Sequence, residues 1–156
     1  MVGSHKRGIE AAKPGLYDRG FTFLVRERRT GPKSYAAVKA FWKKITPRIV
    51  EVKADEHDRI VAEISHLPHA AAVCLVLSAG GKSLSLAASG FRDATRIAQG
   101  DPSIWLPIFQ WNREALRKSF ADFEKRLKKF QKALSLRHGN LLGKILAEAA
   151  RKRRQI

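Results

Sequence analysis

The sequence predicts a mainly α-helical protein that begins with a partial α/β unit, strand–helix–strand. Three observations carry that expectation. From Asp55 onward apolar residues recur every three or four positions, through Ile60, Val61 and Ile64 and again through Leu116, Phe120, Phe123, Leu127, Phe130 and Leu134. Before that point, residues 20–26 and 48–53 are short runs of strand formers on either side of a stretch with helical spacing. Punctuation agrees with both: Gly31-Pro32 and Asp101-Pro102 read as helix starts, and Gly139 as a helix stop.

The 156 residues, 44% of them apolar, suffice for one hydrophobic core. Thirty-one Lys and Arg stand against fourteen Asp and Glu, a formal charge of +17, so the surface field attracts anions without specifying which. The longest apolar run, Ala70 to Leu77, falls short of the roughly 20 residues of a membrane helix, and no membrane span is expected. The N-terminus has basic residues but no apolar stretch behind them, unlike a secretory signal. Cys74 is alone within an apolar run and reads as a buried, inert thiol. Together these features lead us to expect a soluble, cytoplasmic protein.

Residues 20–26 are almost continuously apolar, the pattern of a strand covered on both faces. The helix after Gly31-Pro32 places Tyr35, Val38, Phe41, Trp42 and Ile45 on one side, and Pro47 closes it. Residues 48–53 then form a second strand, parallel to the first because a helix joins them. Two parallel strands with one helix cannot bury both sheet faces, so more sheet is expected from another polypeptide or from a longer protein.

Asp55 reads as the N-cap of a helix running to Leu77, with Glu56 and Asp58 favouring its positive end. Pro68 removes a backbone hydrogen bond and is expected to kink that helix beside Ser65, His66 and His69. Those histidines read either as a satisfied pair at a bend or as part of a site; two histidines alone are weak evidence for a metal site. Ala79-Gly80-Gly81-Lys82-Ser83 resembles a phosphate loop but has Val76 where its first glycine belongs, and it reads as a turn.

The stretch Ala88 to Trp105 carries two arginines, two aspartates, three hydroxyl residues and two aromatics between apolar segments. Two readings stand. Asp93, three residues before Arg96, could hold that guanidinium on one helical turn as a fork for a carboxylate or phosphate. Alternatively Asp93 is the N-cap of a surface helix and Arg96 is solvated. Farther on, the seam from Leu116 to Leu134 requires a partner helix. A last helix from Leu141 is expected to fray into Arg151-Lys152-Arg153-Arg154.

Three blocks resemble the prephenate dehydrogenases. They are Gly3-Ser4-His5-Lys6-Arg7-Gly8-Ile9-Glu10-Ala11-Ala12, then the run from His57 to His69, and Gly90-Phe91-Arg92-Asp93-Ala94-Thr95-Arg96-Ile97-Ala98 with Asp101-Pro102 and Trp105. With Asn112-Arg113-Glu114 the resemblance reaches about Leu134. It implies a C-terminal helical dimerisation domain of the 6-phosphogluconate-dehydrogenase-like type, at residues 55–156. Residues 1–54 would then be the remnant of a Rossmann-type nucleotide-binding domain.

On the same footing Arg96 would bind a prephenate carboxylate, Asp93 would orient it, and His69 and Ser4 would line the pocket. Trp105 would close it, from its own or the neighbouring subunit. The family's catalytic histidine lies in a His-Pro-x-Ala-Gly motif whose glycine matches Gly3, so its position precedes Met1 and no catalytic residue is expected in this chain. His5 stands where the family commonly has glutamate. The segment between His69 and Asp93 looks shorter than usual, and Ala88-Ser89 replace common glycines. The cofactor implied is NAD or NADP, bound mainly by a nucleotide-binding domain supplied in cis or in trans, and the substrate is prephenate or arogenate. A homodimer through the C-terminal helices is expected, and this chain alone should be inactive. A helical interaction or regulatory module without catalysis is the competing class. Nucleic-acid binding through the basic helices is the weaker one, since few aromatics interleave with the charges.

Overall fold

The computed structural model describes Ile9, residues 12–135 and residues 139–156. Ser4 and His5 lie outside the described residues. The chain forms two compact units, Met1–Leu116 and Arg117–Ile156. That division falls inside a helix and reflects packing within the chain.

In the first unit, β1 (Phe21–Val25) pairs in parallel with β2 (Arg48–Val52), Phe21 opposite Arg48 and Val25 opposite Val52. The crossover is α1 (Pro32–Trp42), with Gly31 as N-cap and proline in the first turn. Glu51 of β2 accepts hydrogen bonds from Tyr35 and Lys39 of α1, and these two contacts, Lys39 first, hold its carboxyl below the usual range. Thr22 and the buried Thr46 join their hydroxyls at 2.9 Å. The expected cover on both faces of β1 is not found: Leu24 is buried, while Phe21 is exposed and its other neighbours only half so. Val38 and Phe41 of α1 are likewise exposed. Helix α1 also ends at Trp42, five residues before the expected stop at Pro47; turns fill the interval.

After β2 comes one unbroken helical stretch, Ala54–Ser78, in three parts. Helix α2 (Ala54–Val61) is followed by a π-helical turn (Ala62–His66) and α3 (Leu67–Ser78). The N-cap is Lys53 and makes no side-chain cap bond, so the expectation of Asp55 as cap is corrected: Asp55 and Glu56 lie in the first turn, where their charge still meets the helix dipole. Pro68 yields a widened turn, in which Leu67 N–H reaches back five residues to the Ala62 carbonyl.

By length and composition this 25-residue helix, with a mean hydropathy of 1.7 over its most apolar part, meets the requirement for crossing a membrane. The reading from Ala70–Leu77 alone understated it, because the apolar residues upstream of Pro68 count as well. Its buried residues Val61, Ala62, His66, His69 and Ala72 make a stripe on one side, the pattern of a helix packed within a fold. Cys74 lies off that stripe and is exposed, contrary to the buried thiol expected of it.

Three short pieces come next: α4 (Gly81–Ser85), α5 (Ser89–Thr95) and a 3-10 turn (Arg96–Gln99). The turn expected at Ala79–Ser83 is thus confined to its first residues, with Gly80 capping α4. Helix α6 (Pro102–Trp111) starts as expected, the Asp101 carboxylate accepting from Ser103 N–H at 2.8 Å and Ser103 Oγ at 2.7 Å. Asn112 ends α6, and α7 (Arg113–Ser135) begins immediately after it.

The second unit consists of α7 from Arg117 onward and α8 (Asn140–Arg153). The two helices line a shared groove with Arg126 and Lys129 on one side and Ile145, Glu148, Ala149 and Lys152 on the other. Gly139 is the N-cap of α8; α7 is described as far as Ser135, and the stretch leading to its expected stop at Gly139, residues 136–138, lies outside the described residues. Nor does α8 fray at Arg151: it stays helical through Arg153, aided by the Lys152–Glu148 ion pair at 3.2 Å. Phe123, Leu127, Leu134 and Leu146 remain exposed, so α8 covers only part of the apolar seam.

Candidate functional site

The π turn and α3 present His66 and His69 to the aromatic side of α6, all within the first unit. The His69 and Trp105 rings stack, with centroids 3.5 Å apart and planes 16° from parallel. Phe109, one helical turn beyond Trp105, meets both histidines edge-on at 6.4 Å and 5.8 Å. His66 in turn stands edge-on to Trp105 at 6.4 Å. Both imidazoles are buried, His66 to 6% exposure and His69 to 3%.

Gly100 makes the stack possible. A Cβ there would stand 2.8 Å from His69 Cε1 and closer still to Trp105 Nε1. The residue just before the Asp101-Pro102 start must therefore lack a side chain for α6 to bring Trp105 down onto α3.

The two histidines differ chemically. Asn112 Nδ2 donates to the Asp58 carbonyl at 2.8 Å and lies 3.2 Å from His66 Nδ1. Burial lowers the His66 pKa; the nearby Asp58 charge pushes it up and His57 pushes it down, both by less. His69 is lowered by burial, and its Nδ1 is buried without a hydrogen-bond partner. An unsatisfied buried ring nitrogen is costly, and an incoming polar group or water would relieve it. The reading of a satisfied histidine pair at the bend holds for His66 and fails for His69.

The arginine side of the site is arranged differently from expectation. Asp93 is the fifth residue of α5, whose N-cap is Ala88, so it caps nothing. Arg96 starts the 3-10 turn, and no ion pair joins it to Asp93 among the described residues; both side chains are exposed. Residues three apart share a face in either winding, so what keeps the two groups apart is their exposure: each is solvated separately. Thr95, between them, is buried and donates to the Phe91 carbonyl at 2.6 Å. Arg92 donates to the Ala87 carbonyl at 3.0 Å. Sequence reasoning missed Gly100, Phe109 and the reach of Asn112 to Asp58 and His66. A glycine one position before a helix cap was the available signal for the first.

A long helix widened by a π turn, packed on an aromatic helix and followed by an amphipathic helical pair, defines the class: a mainly helical domain with a strand–helix–strand unit before it. Residues 53–148 match the family model of the prephenate dehydrogenase dimerization domain, and the chain belongs to that family. It is 32% identical over 137 residues to a prephenate dehydrogenase of Bacillus subtilis, covering 84% of this chain and 37% of that protein. To a cyclohexadienyl dehydrogenase of Zymomonas mobilis it is 31% identical over 149 residues, covering 91% of this chain and 51% of that one. Among solved structures it is similar to prephenate dehydrogenase from A. aeolicus in complex with hydroxyphenyl propionate and NAD+. That likeness has a TM-score of 0.86 at 29% identity, over 97% of this chain and 55% of that one. Synechocystis arogenate dehydrogenase gives a TM-score of 0.84 at 26% identity, over 99% of this chain and 58% of that one. The chain thus spans roughly a third to a little over half of the length of these relatives.

The loop before α1 does not fit the phosphates of a dinucleotide. The turn from β1 into α1 has a single glycine, Gly31, and the next residue, Pro32, has no N–H to offer a phosphate at the helix start.

Proposed function

We propose that this chain is the substrate-binding and dimerisation portion of a prephenate or arogenate dehydrogenase, with residues 1–54 belonging to a Rossmann-type domain and residues 55–156 forming the helical domain. The observation that carries the proposal is the buried, unpartnered Nδ1 of His69 under Trp105, within a stretch that matches the family's dimerization domain. In this reading Arg96 grips a carboxylate of the dianionic substrate, Asp93 orients it, and His69, Ser4 and Trp105 bound the pocket. A guanidinium suits that role because its planar fork matches a carboxylate with two parallel hydrogen bonds. NAD or NADP is held by a nucleotide-binding domain in cis or in trans and accepts the hydride. The chain by itself is inactive, pairs with a second copy through α7 and α8, and works in the cytoplasm.

The test combines this chain with a separately produced nucleotide-binding domain, NAD or NADP, and prephenate, and monitors cofactor reduction. Reduction should appear only in the mixture, and Arg96→Ala should weaken prephenate binding by at least about tenfold, the loss of a charge-assisted pair. An inert mixture, together with unchanged binding by Arg96→Ala, would overturn the proposal. A purely structural module has one observation in its favour: Asp93 and Arg96 are exposed and not paired with each other. Calorimetry that finds no binding of prephenate or 4-hydroxyphenylpyruvate, alongside tight self-association, would select it.

A further inference from the structure

The site contains a polar contact that the dehydrogenase reading leaves unused, between residues 46 positions apart in the chain. Asn112 occupies the single residue between α6 and α7, and its amide reaches back to both α2 and the π turn. The orientation of that amide is dictated by chemistry. The Asp58 carbonyl, 2.8 Å away, can only accept, so the atom facing it must be the amide nitrogen. That nitrogen carries two hydrogens. With one on Asp58, the other is left for His66 Nδ1 at 3.2 Å, which must therefore present a lone pair.

We propose that Asn112 is a positioning residue that holds His66 as the neutral tautomer with its proton on Nε2. A histidine fixed in this way can donate from Nε2 but has no free lone pair with which to take a proton. It is an orienting donor within the aromatic cluster of Trp105 and Phe109, not a base. The neighbouring charges leave this arrangement intact. The Asp58 carboxylate is engaged by His57 Nδ1–H at 3.0 Å, while the Asp58 carbonyl serves Asn112. The amide thus ties the end of α6 to α2 and fixes the ring between them. Only the consequence for a bound substrate rests on the dehydrogenase reading; the tautomer does not.

The test uses histidine ring-nitrogen NMR on the isotope-labelled full chain, which needs neither cofactor nor substrate. In the unaltered protein His66 should show an unprotonated Nδ1 and a protonated Nε2. Asn112→Asp, close in shape but able only to accept, should move the proton to Nδ1 or make the ring a cation. Asn112→Ala should leave a mixture of tautomers while thermal unfolding shows the fold retained. A protonated Nδ1 in the unaltered protein, or a His66 signature that neither variant changes, would overturn the proposal. Calorimetry with 4-hydroxyphenylpyruvate keeps the two proposals apart. Absence of binding to the unaltered chain counts against the dehydrogenase reading, and the NMR result decides the role of Asn112 in either case.

Discussion

Gly100 is the residue on which the site's geometry turns. No positive φ requires a glycine there; the requirement comes from the approach of Trp105 and His69 from two different helices. Gly100→Ala should therefore part the rings or push the start of α6 outward, at about 1–3 kcal/mol, the usual range for overpacking. The check is a lowered thermal midpoint together with loss of the tryptophan near-ultraviolet dichroism. A variant with both unchanged would mean the stack is not held as described. This contact also marks a limit of sequence reading. The resemblance named Trp105 and His69 separately, but their stacking depends on a chain reversal between residues 79 and 101 that no periodicity records. The failed pairing of Asp93 with Arg96 marks another limit, since a spacing of three puts two side chains on a shared face but does not make exposed, solvated charges meet.

At the level of elements, the helical stretch Ala54–Ser78 buries two imidazoles whose cationic forms burial disfavours. Both pKa values lie below the unfolded value of about 6.5. Above that pH both states are neutral at these positions and the fold keeps its full stability. As the pH falls, the unfolded chain takes up protons first, so stability declines until the folded-state values are passed. The thermal midpoint should accordingly drop between about pH 7 and pH 5, and replacing both histidines with glutamine should flatten that slope. An unchanged slope in the double variant would assign the acid sensitivity elsewhere. The elements themselves were mostly legible: strand formers gave β1 and β2, spacing gave α1, α7 and α8, and Asp101-Pro102 gave the start of α6. Pro68 announced an irregularity but not its form. A proline can kink, end or widen a helix, and the choice depends on the groups that pack beside it. Cys74 was misplaced because nearly every residue around it is apolar, so hydropathy could not say which face of α3 turns inward.

For the whole molecule, charge and apolar surface pull in opposite directions. Residues 117–156 carry thirteen of the basic side chains against three acidic ones, while Phe123, Leu127, Leu134 and Leu146 remain exposed among them. Joining two such surfaces buries apolar area but also brings like charges together. Self-association should therefore strengthen as salt rises from low ionic strength, and sedimentation should show a shift toward twice the 17.5 kDa monomer mass. Leu127→Glu should return the chain to the monomer at every salt concentration. A dimer that weakens with added salt would point instead to an interface held by ion pairs. The sequence showed the charge and the seam separately; which part of the seam α8 leaves open was visible only in the folded chain.

The π turn at Ala62–His66 also makes the long helix sensitive to insertion and deletion. Such a turn amounts to one extra residue accommodated in an α-helix, and each residue of an α-helix rotates the downstream part of the helix by about 100°. Removing one residue within the turn would let the helix close to regular winding, keeping α2 and α3 nearly in phase. The widened turn is thus the place in this helix where a change of length is best absorbed, and it lies just upstream of the histidine whose displacement would disrupt the site most.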